Sequence, residues 1–226
     1  MKKLEVFKLY SAFEKQPQEK KDLIIKVSIE EFVKNGYEKT STDVITRRAG
    51  ISKGILFHYF KSKKNLYLYL VNYVKDLLTE KTMEALKQIK ADDFFERVKK
   101  IVLMKQKVTA QYLQETQFIA QAFTNPPVAV KKEMEEIIKK HYETYQEDFM
   151  LEHVYIKDLI QTEKLRDDIS VDTVISMTMF IVEQLTNKYL ALYKNKQFDI
   201  MNNTESLIRE LNDYLKIVKY GIYKRE

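Results

Sequence analysis

Apolar residues recur at helical spacing along almost the whole chain, and the interruptions between those runs set the expected elements. Leu23, Ile24, Val27 and Phe32 share one face of a helix over Glu19–Asn35, and Gly36 follows as a C′ residue able to turn left-handed. Thr40 or Ser41 then caps a short helix that stops at Gly50, with Asp43 in its first turn. Ser52 caps a second short helix to about Tyr59, and Ser62 caps a long one through Leu66, Leu70, Tyr73, Val74 and Leu77, to about residue 78. After residue 79 the stops become rare. Helices are expected at 93–108 and 110–123, followed by one that starts at Asn125-Pro126-Pro127 with Asn125 as cap. That helix carries Val130, Met134, Ile137, Ile138, His141, Tyr145 and Phe149 on one face, and continues or breaks near 151–153 before ending about Gln161. Lys164–Ser170 reads as a turn. Residues 171–194 are apolar nearly all round, so this helix is expected to be buried on more than one side, and 204–222 forms a last amphipathic helix. There is no internal repeat and no low-complexity tract.

Composition sharpens this into an all-α fold. The 226 residues contain only 4 Gly and 3 Pro, too few for the tight turns of a β-sandwich or a doubly wound α/β enzyme. With no Cys, disulfide scaffolds, thiolate zinc sites and cysteine nucleophiles drop out, and His58, His141 and His153 are too scattered to suggest a metal centre. No cofactor is expected. The charged start and the lack of any 18-residue apolar run point to a soluble, cytoplasmic protein with no membrane contact.

The charge is unevenly placed. Residues 1–78 hold 16 Lys/Arg and 9 Asp/Glu, whereas residues 79–226 hold 23 and 24. The excess of cations therefore lies in the first third, as in a basic domain that meets a polyanion joined to a neutral domain that does not. Two short helices around a Gly-containing turn, preceded by a longer helix, make a helix-turn-helix. Gly50 supplies the turn, and Ile45, Ala49, Ile51 and Leu56 supply apolar residues for the crossing. The second helix opens with Ser52, Lys53 and Gly54: a hydroxyl, a cation and a point of close backbone approach. His58, Tyr59, Lys61 and Lys63 offer donors suited to phosphate oxygens. Arg47 and Arg48 read first as a solvated pair.

The run from Gly36 to Lys63, with Gly-Tyr, Thr-Ser, Ala-Gly-Ile-Ser, His-Tyr-Phe and Lys-Ser-Lys at characteristic spacing, resembles the DNA-binding signature of the TetR family of bacterial repressors. The likeness covers about residues 18–70. It implies an N-terminal three-helix DNA-binding domain and a C-terminal helical bundle that binds a ligand and dimerises. It further implies that Ser41 and Thr42 open the helix crossing the DNA backbone. Lys53, Gly54, Ile55 and Phe57 would face the major groove, while His58, Tyr59 and Lys63 hold phosphates. Thr46 stands where the family usually has Ala, and Val27-Ser28 where an Ala pair is common. Ile55 replaces a frequent Thr and Phe57 a frequent Tyr, which leaves apolar contact, for instance with a thymine methyl.

The expected layout is an arm (1–16), a helix-turn-helix domain (17–62, motif about 41–60), a linking helix (63–78) and a ligand-binding and dimerisation domain (79–226). In the arm, Leu4, Phe7, Tyr10 and Phe13 recur every three residues; it either packs on the first or the linking helix, or reaches DNA through Lys2 and Lys3. By analogy with the family, Met104, Gln111, Tyr112, Phe118, His141, Tyr142, Tyr145, Met177, Phe180 and Gln184 are candidates to line a pocket for a largely apolar effector. Val174, Ile181, Leu185, Leu207, Leu211 and Leu215 are candidates for a homodimer interface. The function expected is a ligand-released repressor on a palindromic double-stranded operator. The alternatives are an architectural or constitutive DNA-binding dimer without effector, and an activator of the same fold. An enzyme is not expected, because the adjacent carboxylate pairs Asp92-Asp93, Glu135-Glu136 and Asp167-Asp168 diverge by about 100° on a helix.

Overall fold

The computed structural model describes residues 10–144, 150–195, 197–198 and 205–221, and every regular element among them is helical. The α-helices are α1 (Ser11–Glu14), α2 (Gln18–Lys39), α3 (Thr42–Arg48), α4 (Lys53–Phe60), α5 (Lys63–Leu86), α6 (Phe94–Gln111), α7 (Leu113–Thr124), α8 (Lys131–Thr144), α9 (Val171–Lys194) and α10 (Glu205–Tyr220). Short 3-10 and π turns occupy Val128–Val130 and parts of Met150–Lys164. The all-α expectation is borne out. Tyr145 and Phe149 lie outside the described residues.

Element boundaries follow local chemistry. Gly36 interrupts α2 at φ 68°, ψ 171°, a conformation closed to side chains, so the long run ends beside Asn35. Two expectations move. Asn125 ends α7 instead of opening the next helix: its N–H donates to the Gln121 carbonyl at 2.9 Å. Pro126 forces Asn125 away from the helical region, to φ −143°, ψ 69°, and α8 begins only at Lys131. Helix α5 runs past residue 78 to Leu86, because Thr79–Leu86 contains no Gly or Pro and is rich in Glu, Lys, Met, Ala and Leu.

The chain forms two compact units: residues to Thr79 with Tyr112–Thr144, and Glu80–Gln111 with the residues from Tyr145 on. This differs from a single boundary at residue 79. Helices α7 and α8 belong with the first unit because Phe118, Ala122 and Met134 are buried in its core with Ile24, Val27, Phe32, Ile45, Leu56, Phe60, Leu66 and Leu70. Phe118 sits 5.2 Å from Tyr67 and 6.1 Å from Phe32, ring to ring.

The second unit is built on α6, α9 and α10, with Phe94, Val98, Ile101, Val174, Leu185, Leu207, Leu211 and Leu215 in its core. Five of the six residues expected at a subunit interface, all but Ile181, are thus buried within this unit, where α10 packs on both α9 and α6. The opposite face of the α9–α10 pair is open and apolar: Met177 is 53% exposed, Phe180 58%, Tyr214 39% and Ile217 49%. On that face the Glu210 carboxylate accepts from Lys188 at 2.7 Å, from the Tyr214 hydroxyl at 2.8 Å and from the Tyr189 hydroxyl at 3.1 Å.

Candidate nucleic-acid interface

Helix α3 begins at Ser41, whose backbone is extended but whose side chain makes no capping bond. Thr40 is not the cap. It is buried and donates its hydroxyl to the carbonyls of Gly36 at 2.6 Å and Glu31 at 3.1 Å. The Thr46 hydroxyl, an oddity in an apolar crossing, folds back onto the Asp43 carbonyl at 3.1 Å. The turn after α3 closes as a Schellman motif. Gly50, at φ 65°, donates to Arg47, and Ile51 donates to Thr46 at 3.0 Å.

Helix α4 has only two turns, and its inner face is Leu56, Tyr59 and Phe60, at i, i+3 and i+4. The Ser52 hydroxyl caps it by accepting the Ile55 N–H at 3.2 Å. That packing leaves Ser52, Lys53, Gly54, Ile55, His58 and Lys61 exposed and Phe57 half-buried. The Lys53 ammonium pairs across the turn with the Asp43 carboxylate at 2.9 Å, both side chains more than half exposed. A Cβ on Gly54 would meet only the Ser52 hydroxyl, at 3.8 Å, so nothing in the fold requires glycine there. Lys61 ends the helix at φ 65°, ψ −37°, unusual for a residue with a side chain. Strain of this kind gathers at functional surfaces.

Two of the expected phosphate ligands are placed differently. Tyr59 is 5% exposed; its ring lies 5.5 Å from Phe13, and its hydroxyl accepts from Lys20 at 3.1 Å. It packs the helix instead of facing outward. The Lys63 ammonium reaches the carbonyls of Tyr37, Glu38 and Thr40 at 2.9, 3.2 and 3.3 Å and lies 4.7 Å from the centre of the Tyr37 ring. An ammonium has three donors, so all are engaged in closing the end of α2. Arg48 is likewise tied inward, pairing with Glu30 and, at 2.7 Å, with the buried Glu31.

The residues expected around an effector are divided between the two units. Tyr112, Phe118, His141 and Tyr142 belong to the first; Met104, Gln111, Met177, Phe180 and Gln184 belong to the second. Phe118 and Met104 are core, while Gln111, Tyr142, Met177, Phe180 and Gln184 are exposed. His141 is half-buried against the Phe123 ring, and burial followed by the nearby Lys75 holds its imidazole below the usual pKa. Only Met177, Phe180 and Gln184 come together, lining an open groove of about 340 Å³ with Ile181, Leu185, Tyr214 and Ile217; the other candidates do not join them. The sequence reading missed the pairing of Asp43 with Lys53 and the capping by Lys63. A carboxylate in the first turn of α3 was the available signal for the first; no sequence signal marks the second. Among the described residues, no helix is long and apolar enough to cross a membrane and no group of three His, Asp or Glu is placed to hold a metal ion.

Comparison with known proteins agrees with this geometry. Residues 24–70 match the family model of bacterial regulatory proteins, tetR family. Over 52 residues the chain is 46% identical to the HTH-type transcriptional regulator QacR of Staphylococcus aureus, an alignment covering 23% of this chain and 28% of QacR. The aligned segments span from about a fifth to two fifths of the curated relatives' own length. Whole-chain likeness lies in fold. A TetR family transcriptional regulator from Chloroflexus aurantiacus is 21% identical with a TM-score of 0.56, the match covering 95% of this chain and 98% of that one. The regulator FadR from Bacillus subtilis, solved in complex with stearoyl-CoA, is 18% identical with a TM-score of 0.56, covering 89% and 98%.

Proposed function

The chain belongs to the TetR family of bacterial regulatory proteins through its helix-turn-helix, and we propose that it is a DNA-binding repressor that acts as a dimer and is released by a small apolar effector. The observation that carries the DNA reading is the outer row of α4. Ser52, Lys53, Gly54, Ile55, Phe57 and His58 occupy the side of a two-turn helix that the core does not use. A glycine inside a helix costs about 1 kcal/mol relative to alanine, and at Gly54 the fold gives nothing in return. Close approach of the helix start to a base or phosphate supplies the reason. Ser41 and Thr42 at the start of α3, and Lys61 after α4, flank this row and suit the phosphate backbone. In this reading Lys63 and Tyr59 shape the surface from behind it.

The second copy is proposed to sit on the open face of α9 and α10, against Met177, Phe180, Ile181, Gln184, Tyr214 and Ile217. An exposed apolar face of this kind, ringed by the Lys188–Glu210 network, suits an isologous contact between two identical helix pairs. The effector is assigned to the second unit. Among the described residues three buried side-chain oxygens lack a hydrogen-bond partner, Ser28 Oγ in the first unit and Gln106 Oε1 and Thr178 Oγ1 in the second, and each such orphan costs about 1–3 kcal/mol until something satisfies it. FadR's complex with stearoyl-CoA supports the idea that a helical unit of this fold can host an apolar chain. Helix α5 contributes Leu66 and Leu70 to one core and Leu86 to the other, so it is the element proposed to carry the effector's influence to α4.

The test has two stages. The full chain should select, from a random library, a palindromic duplex of roughly 15–25 bp whose half-sites lie about one helical turn apart. Any small molecule that co-purifies is then titrated with and without that duplex. A tenfold effect of ligand on DNA binding demands a tenfold effect of DNA on ligand binding, about 1.4 kcal/mol of coupling. Equal ligand affinity in both titrations would remove induction and leave a constitutive DNA-binding dimer.

A further inference from the structure

The short segment ahead of α2 lies outside the matched region 24–70, yet its side chains are among the most enclosed in the first unit. Phe13 is 0% exposed and Tyr10 6%. Their rings join two helices. Toward α4, Phe13 lies 4.7 Å from Phe60 and 5.5 Å from Tyr59, and Tyr10 lies 5.9 Å from Phe60. Toward α5, Phe13 and Tyr10 stand edge-on to Tyr69 at 5.3 and 5.0 Å.

Polar contacts fix the same joint. The Tyr10 hydroxyl donates to the Asn65 carbonyl at 3.1 Å, close to the start of α5. The Tyr69 hydroxyl donates to the Glu14 carboxylate at 2.7 Å, and Lys21 pairs with that carboxylate at 3.4 Å. Burial first, and then the hydrogen bond to the Glu14 carboxylate, push the Tyr69 hydroxyl well above its ordinary pKa, so it remains a donor throughout the working range.

An isolated helix of two turns has no stability of its own. The position of α4 is therefore set by the side chains it buries, Leu56, Tyr59 and Phe60, and two of these three rest on Phe13. We propose that Tyr10–Glu14 is a strut that fixes α4 against α5, with Phe13 and Glu14 as positioning residues for sequence discrimination. This rests on the reading of the outer row of α4 as the DNA-facing surface. Contacts to base edges need their groups held within about 0.5 Å, whereas long lysines follow a phosphate that shifts by more. Loosening the strut therefore penalises the matched complex and leaves non-specific binding nearly intact.

The experiment compares the unaltered full chain with Phe13→Ala, Phe13→Leu and Glu14→Gln. The probes are a duplex selected by the unaltered chain from a random library and a shuffled duplex of the same composition. Phe13→Ala should lose about tenfold on the selected duplex and stay within about twofold on the shuffled one. Phe13→Leu should recover most of that loss. Glu14→Gln, which keeps the aromatic cluster and hence the fold, should lose about threefold on the selected duplex alone. Amide exchange at residues 56–60 should quicken in the order Phe13→Ala, Glu14→Gln, unaltered. A ratio of selected to shuffled affinity that is the same in every variant overturns the proposal, including equal losses on both duplexes from simple destabilisation. Should Phe13→Ala not fold, Phe13→Leu and Glu14→Gln decide by the same ratio. If the unaltered chain selects no duplex at all, the DNA reading itself falls and the strut with it, an outcome visible before any variant is made.

Discussion

Replacing Lys63 by Met separates two roles that a lysine beside a helix-turn-helix can play. The substitution keeps the apolar stem and removes the ammonium, which lies 2.9, 3.2 and 3.3 Å from the carbonyls of Tyr37, Glu38 and Thr40. The first has the usual length of an N–H···O bond, the second lies at the upper end of that range and the third just beyond it. A charge-assisted bond contributes about 1.5–3 kcal/mol net, and the two longer contacts are weaker, one of them being exposed. The ammonium also lies 4.7 Å from the centre of the Tyr37 ring, a contact whose exposed value is about 0.5–1 kcal/mol. The expected loss is about 2–4 kcal/mol, confined to the end of α2 and its junction with α3. Amide exchange over residues 36–43 is the direct assay, because a chain of two compact units does not promise a single two-state transition. DNA binding, measured as log affinity against log salt, should weaken without change of slope, since no phosphate partner has been removed. Unchanged exchange together with a slope reduced by about one would refute the reasoning and return Lys63 to the phosphate backbone.

Lys53→Ala should cost about 1–3 kcal/mol on the selected duplex and relax preference at one base position, measured by competition with single-site variants. Phe180→Lys, on the open face of the α9–α10 pair, should give monomers by sedimentation with their helix content intact, and an unchanged dimer would move the interface elsewhere. Thr178→Val removes a buried hydroxyl that has no partner among the described residues and should raise stability by about 1 kcal/mol in urea unfolding; a loss would show that the hydroxyl is satisfied. Lys188, against the opposing effect of burial, holds the Glu210 carboxyl below its ordinary pKa. A depressed carboxyl stabilises above its unfolded pKa of about 4.3, and that gain is lost as pH falls through the lower folded value. Amide exchange in α10 should therefore quicken below about pH 4.3, and Glu210→Gln should flatten the change.

The first unit was the more legible because its signals are local. Gly36 and Gly50 both adopt positive φ, and Ser52 and Ser62 both cap helices through their hydroxyls, accepting from Ile55 and Asn65. Those features follow from backbone geometry within a few residues, which is what a sequence records best. The inward contacts of Lys63 and Tyr59 were not legible for the opposite reason. Their partners, Tyr37 to Thr40 and Lys20, lie more than twenty residues away, and a lysine or tyrosine beside a recognition helix has the same spacing whether it faces outward or inward. The strut shows the same limit: the three-residue repeat that includes Tyr10 and Phe13 announced an amphipathic face but not the joint that receives it.

In the second unit the difficulty is one of sidedness. Residues 171–194 are apolar nearly all round, and such a helix satisfies a sequence pattern equally whether its partner is its own chain or another copy. The structure decides by geometry: α10, with Leu207, Leu211 and Leu215 in one line, can cover only one side of α9, and the side it covers contains Val174 and Leu185. What it leaves exposed is Met177 and Phe180, with the half-buried Ile181 beside them, along with the outward Tyr214 and Ile217 of α10 itself. Fully burying a side chain of that size contributes about 1.5–3 kcal/mol, and these are about half exposed, so two copies that covered one another's rows would gain about 1 kcal/mol per side chain where the single chain cannot. In the proposed dimer the apolar excess of the last two helices would be used twice, once by the unit's own core and once by the second copy.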